Sequence, residues 1–154
     1  MLTFQTIVAP TDFSEPSKQG VQAAEELARR DGGECVLIHV VAPVPLIPPG
    51  GPPAHSGLEL SGVMDKLEAA ARSSLDAMVE AMAANGVRVR GEVVLGTPAE
   101  EIALAAEREH AGLIVIATHG WTGWRRFVFG SVAEKVVRLA SCPVLTIPAP
   151  EGEV

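Results

Sequence analysis

The sequence predicts an α/β fold, an open sheet of five parallel strands with helices on both faces. Three observations carry this. Short runs of apolar, β-branched residues alternate five times with longer segments of helical period along the 154 residues. Those runs are apolar almost throughout instead of alternating with polar residues, which marks strands buried on both faces. Glycine, proline and capping residues punctuate the junctions, and strand–helix–strand order of this kind builds parallel sheets through right-handed crossovers. No internal repeat is visible, and the length suits a single domain over 1–154.

Thr6 to Pro10 reads as the first buried strand. Pro16 then falls in the first turn of a helix, where its missing N–H costs little, and Val21, Ala24 and Ala28 mark the inner face. Asp31-Gly32-Gly33 stops that helix. Cys35 to Val41 is the second strand, and residues 42–57, crowded with proline and glycine, form an irregular loop. In the long helix that follows, Leu60, Met64, Leu67, Ala71, Leu75, Met78 and Met82 recur at steps of four and three on one stripe. Its methionines read as core filling, and Asn85-Gly86 ends it. Val87 to Leu95 is the third strand. Thr97-Pro98-Ala99-Glu100 reads as a capping box with proline at the first helical position, opening a helix to about His110. Leu113 to Ala117 is the fourth strand, and 118–130 is a loop containing glycines. Ser131-Val132-Ala133-Glu134 reads as a second capping box, with Val132, Val136 and Leu139 as inner positions of the last helix. Pro143 to Ile147 is the fifth strand, ended by Pro148.

A net charge of −7 argues against an electrostatically driven nucleic-acid binder. Apolar runs such as Leu113 to Ala117 are strand-sized and far too short for a bilayer, and no basic leader with an apolar run opens the chain. A cytoplasmic protein without a membrane partner is therefore expected. Cys35 and Cys142 lack metal-like spacing and are expected to be reduced, mostly buried thiols. No pair of histidines has metal-ligand spacing either.

Ligands of such sheets bind beyond the carboxyl ends of the strands, where the strand order reverses. This singles out Pro10 to Ser14, His39 to Ala42 and Thr118 to Ser131. The last segment is the richest: Ala117-Thr118-His119-Gly120 leaves a buried strand, and Gly130-Ser131 enters a helix. Glycines allow close backbone approach, and unpaired N–H groups at the helix start offer an anion site that the Ser131 hydroxyl could extend. Against this stands the plain reading of a glycine-bearing connection with Ser131 as cap. It is neither a P-loop nor a GxGxxG loop. Asp12, just past the first strand, taken alone reads first as a turn or capping carboxylate, and it also suits ribose hydroxyls or a metal–phosphate unit. Ser14 reads as the cap of the first helix. His39 reads as a satisfied core histidine, His55 and His110 as surface residues, and His119 as either a loop-orienting or a phosphate-contacting group. Arg125 and Arg126 read as solvated cations, with approach to an anion as the alternative; Trp121 and Trp124 cover a site or pack on a partner.

The motifs PTDFSE, LIHVV, GTPAEEI and THGWTGWRRFVFGSVAEKVVRLASCPVLTI resemble those of universal stress proteins, in the same order and over essentially the whole chain. The ATP-binding branch of that family carries a loop G-x2-G-x9-G-[S/T]. Gly120, Gly130 and Ser131 match it in register, whereas Ala117 stands at the first glycine. A methyl there can obstruct phosphate or tilt the loop. The resemblance implies the adenine nucleotide alpha hydrolase-like fold with strand order 3-2-1-4-5. It also implies an adenosine side lined by Pro10, Thr11 and Asp12, with the Val40 backbone at the adenine. Gly120, Gly130, Ser131 and Val132 would surround ribose and phosphates, together with Ala117 and His119 of the same loop. ATP is the implied ligand, with Mg2+ reached through Asp12. Homodimerisation through the last strand, Val144 to Ile147, is implied as well, and pairing would cover an apolar edge.

Three functions follow. The first is a stress-response protein that binds ATP or another adenine nucleotide as a regulatory ligand, with slow or no hydrolysis. No P-loop lysine or water-orienting base is evident, and Asp12 is the one carboxylate near the site. The second is a dimeric interaction module in which Ala117 has closed the pocket. The third is an enzyme on the same fold, for which no motif is present.

Overall fold

A computed structural model describes residues 3–43, 57–118 and 130–148, the side chains of 57–60 aside. Its elements are β1 (Thr6–Pro10), α1 (Glu15–Asp31), β2 (Glu34–Val41), α2 (Gly57–Ala84), β3 (Arg88–Leu95), α3 (Pro98–Arg108), β4 (Leu113–Ala117), α4 (Ser131–Leu139) and β5 (Val144–Ile147). They form a five-stranded sheet in the order β3-β2-β1-β4-β5, with every pairing parallel. The fold class and strand order expected from the sequence are those observed.

Alternation along the central strands divides the core in two, because successive side chains of a strand point to opposite faces. Ile7, Ala9, Leu37 and Val115 pack with Val21 and Ala24 of α1 and with Leu75 and Met82 of α2. Val8, Val36, Ile38, Ile114 and Ile116 pack with Ile102 and Ala105 of α3 and with Ala133 and Val136 of α4. Ile7 pairs with both Cys35 and Leu113, and Val8 with both Val36 and Ile114, so β1 is fully buried at the centre. Each large aliphatic side chain enclosed in this way contributes about 1.5–3 kcal/mol relative to exposure.

Glycines set two of the close approaches. A Cβ at Gly91 of β3 would come within 3.0 Å of Leu75, so the missing side chain admits α2 onto the edge strand. Gly32 caps α1 in the left-handed region at φ 65, with its N–H bonded to the Ala28 carbonyl. The next residue, Gly33, lies so near the Phe4 carbonyl that a Cβ would sit 2.3 Å from its oxygen.

Several local expectations change. Leu67 is 42% exposed, because it sits at the rim of the α2 stripe, rotated roughly 60° from the Met64–Leu75–Met82 line. On α4 the buried residues are Ala133 and Val136, whereas Val132 and Leu139 are 36% and 51% exposed. The inner line has turned by one residue, which puts the small alanine rather than a valine against the sheet and α3. Neither expected capping box forms. Thr97 is the N-cap of α3 by backbone shape, but its hydroxyl makes no cap bond; Pro98 removes one N–H, and the Thr97 carbonyl accepts from Glu101 at 3.0 Å. Gly130 is the N-cap of α4, so Ser131 is its first helical residue.

Cys35 and Cys142 are both free thiols. Burial pushes the Cys35 thiol up to about 12, helped by the carboxylates of Glu25 and Glu34, and burial also raises Cys142. Among the described residues no helix is long and apolar enough to cross a membrane.

The two adjacent glycines should respond differently to alanine. Gly33→Ala forces a backbone shift at Phe4 and should cost about 1–3 kcal/mol. Gly32→Ala meets open space and should cost about 1–2 kcal/mol through its positive φ alone. Urea unfolding reads both, and a second-site disturbance of the Phe4–Gln5 amides should accompany only Gly33→Ala.

Candidate functional site

After β1 the chain turns into α1 on one face of the sheet, and after β4 it continues toward α4 on the other. The two neighbouring strands therefore part at their carboxyl ends, and a cavity of about 600 Å3 opens there. A volume of this size lies within the range of small-molecule sites. The structure brings Pro10, Thr11, Asp12, Val40, Ala117, Gly130, Ser131 and Val132 together on its wall. His119 and Gly120, the remaining residues of the sequence-derived set, lie outside the described residues, as do Arg125, Arg126 and both tryptophans.

The β1 side is a tightly bonded turn. The Thr11 N–H donates to the Ile38 carbonyl at 2.9 Å, and the Phe13 N–H donates to the Thr11 hydroxyl oxygen at 3.0 Å. Asp12 Oδ1 accepts from the Ser14 N–H at 3.0 Å and from the Ser14 hydroxyl. Ser14 in turn caps α1, its Oγ accepting from the Ser17 N–H at 3.3 Å. The turn reading of Asp12 is thus realised, and the carboxylate is still at the cavity wall. Phe13 takes φ 66, which is rare for an aromatic residue.

The opposite wall is the start of α4. The Gly130 N–H donates to the Thr118 carbonyl at 2.6 Å, and the Gly130 carbonyl accepts from the Glu134 N–H at 3.0 Å. The first contact ties the two ends of the glycine loop together. Helical geometry leaves the N–H groups of Ser131, Val132 and Ala133 without intrahelical acceptors, at the positive end of the helix dipole. Ser131 is exposed, and its hydroxyl is not engaged in a cap. Between these walls Val40, Pro98 and Ile102 supply an apolar surface. No lysine or arginine lines the cavity among the described residues, where Asp12 is its only carboxylate. No group of three or more His, Cys, Asp or Glu side chains suited to a metal ion occurs among the described residues.

Ala117 occupies a specific place. Val115 belongs to the core on the α1 face and Ile116 to the core on the α3–α4 face, so Ala117 returns to the α1 face. A Cβ built at Gly20 of α1 would lie 3.6 Å from the Ala117 methyl and 3.1 Å from its backbone nitrogen. The methyl therefore packs toward α1, across the sheet from the Ile102 and Val132 wall.

The sequence reading missed Pro98 and Ile102 as cavity residues. Their signal is the GTPAEEI segment, which begins a helix directly past a strand's carboxyl end. It also missed Ser17, whose hydroxyl meets that of Thr11 at 3.0 Å.

The family model of the universal stress protein family matches residues 3–148. Among characterised sequences, a universal stress protein of Methanocaldococcus jannaschii is 35% identical over 97% of this chain and 85% of its own. One from Thermus aquaticus is 34% identical over 94% of this chain and 98% of its own. Among solved structures, a universal stress protein from Lactobacillus plantarum superposes with a TM-score of 0.82 at 22% identity, covering 96% of this chain and 99% of that one. A universal stress protein in complex with cAMP gives 0.70 at 20% identity over 96% and 98% of the two chains. The protein from Archaeoglobus fulgidus in complex with dAMP gives 0.63 at 23% over 96% and 99%. These neighbours share the adenine nucleotide alpha hydrolase-like fold, and this chain belongs to the universal stress protein family.

Proposed function

We propose that this chain binds an adenine nucleotide, ATP with Mg2+ in the first instance, as a regulatory ligand of a cytoplasmic stress response. The observation that carries the reading is the cavity at the β1/β4 divergence. It joins an apolar wall at Val40, Pro98 and Ile102 to the first N–H groups of α4, which have no intrahelical acceptor. A nucleobase suits the first and phosphate oxygens suit the second. Asp12, on the β1 side of the cavity, suits ribose hydroxyls or a metal–phosphate unit. Gly120 and His119 join the phosphate side through the loop motif. The cAMP and dAMP complexes are properties of those neighbours, and they support an adenine nucleotide here as a ligand class.

Hydrolysis is expected to be slow or absent. Phosphoryl transfer needs charge neutralisation and a positioned water, and the described wall offers backbone donors without a cation. On the same reading residues 1–154 act as one domain that pairs through β5. Leu145 of that edge strand is 40% exposed. Leu145→Lys should then convert a dimer to a monomer in sedimentation velocity with the circular dichroism spectrum unchanged. A parent that already sediments as a monomer would remove this element of the proposal.

Protein denatured immediately after purification should release an adenine nucleotide identifiable by chromatography and mass spectrometry. The stripped protein should bind ATP–Mg2+ with a micromolar-range constant in calorimetry. A blank in both would favour the interaction-module reading. Ala117→Gly should change the affinity by less than about threefold, because its methyl faces α1 and truncation removes little from the cavity. A tenfold gain on that substitution would mean that the methyl obstructs the ligand after all.

A further inference from the structure

We propose that His39 is the positioning residue of this site, setting the Thr11–Phe13 turn that presents Asp12 to the cavity. The consequence for binding rests on the nucleotide reading above, while the geometric half of the proposal holds without a ligand. His39 lies near the carboxyl end of β2. Cys35, Leu37 and Val41 belong to the core under α1 and α2, and Ile38 and Val40 to the opposite core, so the His39 ring falls on the α1–α2 face by alternation. From there Nδ1 meets the Thr11 carbonyl at 2.8 Å. A carbonyl only accepts, so Nδ1 carries the proton in this contact.

The same ring stacks on Phe13, with centroids 4.5 Å apart and planes inclined by 28°. Phe13 is the residue at φ 66, a conformation that an aromatic side chain adopts only where its surroundings enforce it. One imidazole thus fixes both ends of a three-residue turn: the carbonyl that precedes Asp12 and the side chain that follows it. Other bonds of the turn include that from the Thr11 N–H to the Ile38 carbonyl of β2, that between the Thr11 and Ser17 hydroxyls, and that from the Ser14 N–H to Asp12 Oδ1. Thr11 is 5% exposed, so solvent is poorly placed to replace the donor at its carbonyl. A histidine that merely filled the core would need neither the Nδ1–H tautomer nor the stack on a left-handed residue.

Two substitutions separate the functions of the ring. His39→Asn places an amide nitrogen near the position of Nδ1 and discards the stack, whereas His39→Phe keeps a ring and discards the donor. In nucleotide-free parent protein, nitrogen-15 spectra should find the neutral His39 ring protonated on Nδ1. Amide exchange at Phe13 and Ser14 should accelerate about tenfold in His39→Phe and stay within about threefold of the parent in His39→Asn, with Val8 and Leu37 unchanged in both. ATP–Mg2+ affinity should follow the same order, with about a tenfold loss for His39→Phe and near-parent binding for His39→Asn. A ring protonated on Nε2 would overturn the proposal, even if neither variant folds. So would a His39→Phe protein with parental exchange at Phe13 and Ser14. If the parent binds no nucleotide, the nucleotide reading falls, and the ring spectrum and amide exchange still decide the role of His39.

Discussion

Everything at the functional end of this molecule depends on β1 being paired on both sides while the chain leaves it and its neighbour β4 in opposite directions. β1 is five residues long and bonded to β2 and β4 in parallel. α1 and α2 cover one face, and α3 and α4 cover the other. The helices α1 and α4 that come after β1 and β4 lie on opposite faces, and the cavity opens at the carboxyl ends of these two strands. It is a product of connectivity before it is a product of any side chain. The close passage of Gly20 over Ala117 holds α1 down against the end of β4, and the Gly130–Thr118 hydrogen bond closes the other rim.

The degree to which this could be read in advance follows from how local each determinant is. Strands buried on both faces leave an unbroken apolar run, so Cys35 to Val41 and Leu113 to Ala117 were visible directly. The first helix was equally plain, because Pro16, Gly32 and the Val21–Ala24–Ala28 face each carry a local signal. The helix starts were less legible. A Thr or Ser followed three residues later by Glu satisfies the sequence pattern of a capping box whether or not the hydroxyl turns inward. At Thr97 it does not, and at Ser131 the helix begins one residue earlier than the pattern suggests. The inner face of α4 was misassigned for a related reason. Val132 and Leu139 are the more hydrophobic choices, but the separation from α3 selects Ala133, and packing distance is not written in any window of sequence.

The candidate site shows the same division. Residues at the carboxyl ends of β1 and β2 or just past them, from Pro10 to Asp12 and at Val40, lie in segments that the topology rule singles out, and all of them reach the cavity. Pro98 and Ile102 reach it only because α3 settles on the β1–β2 part of the sheet, a tertiary fact. The significance of Ala117 was legible as a departure from a motif and not as a direction. Only the alternation from Val115 through Ile116, together with the gap left by Gly20, turns its methyl toward α1. Similarly, His39 reads as a buried strand residue until the left-handed Phe13 beside it is known.

The electrostatic character of the cavity bears on how it can hold the proposed ligand. With a net charge of −7 the chain as a whole repels a polyphosphate, so long-range steering cannot draw the ligand in. On the proposed reading attraction has to be short-ranged, supplied by the N–H groups of Ser131, Val132 and Ala133 and by the α4 dipole, which act within about one helical turn. Backbone donors of this kind are fixed in place and need no reorganisation when the ligand arrives, which favours retention. On the proposed reading the described wall, with backbone donors at the start of α4 and the Asp12 carboxylate bonded to Ser14, suits holding a nucleotide.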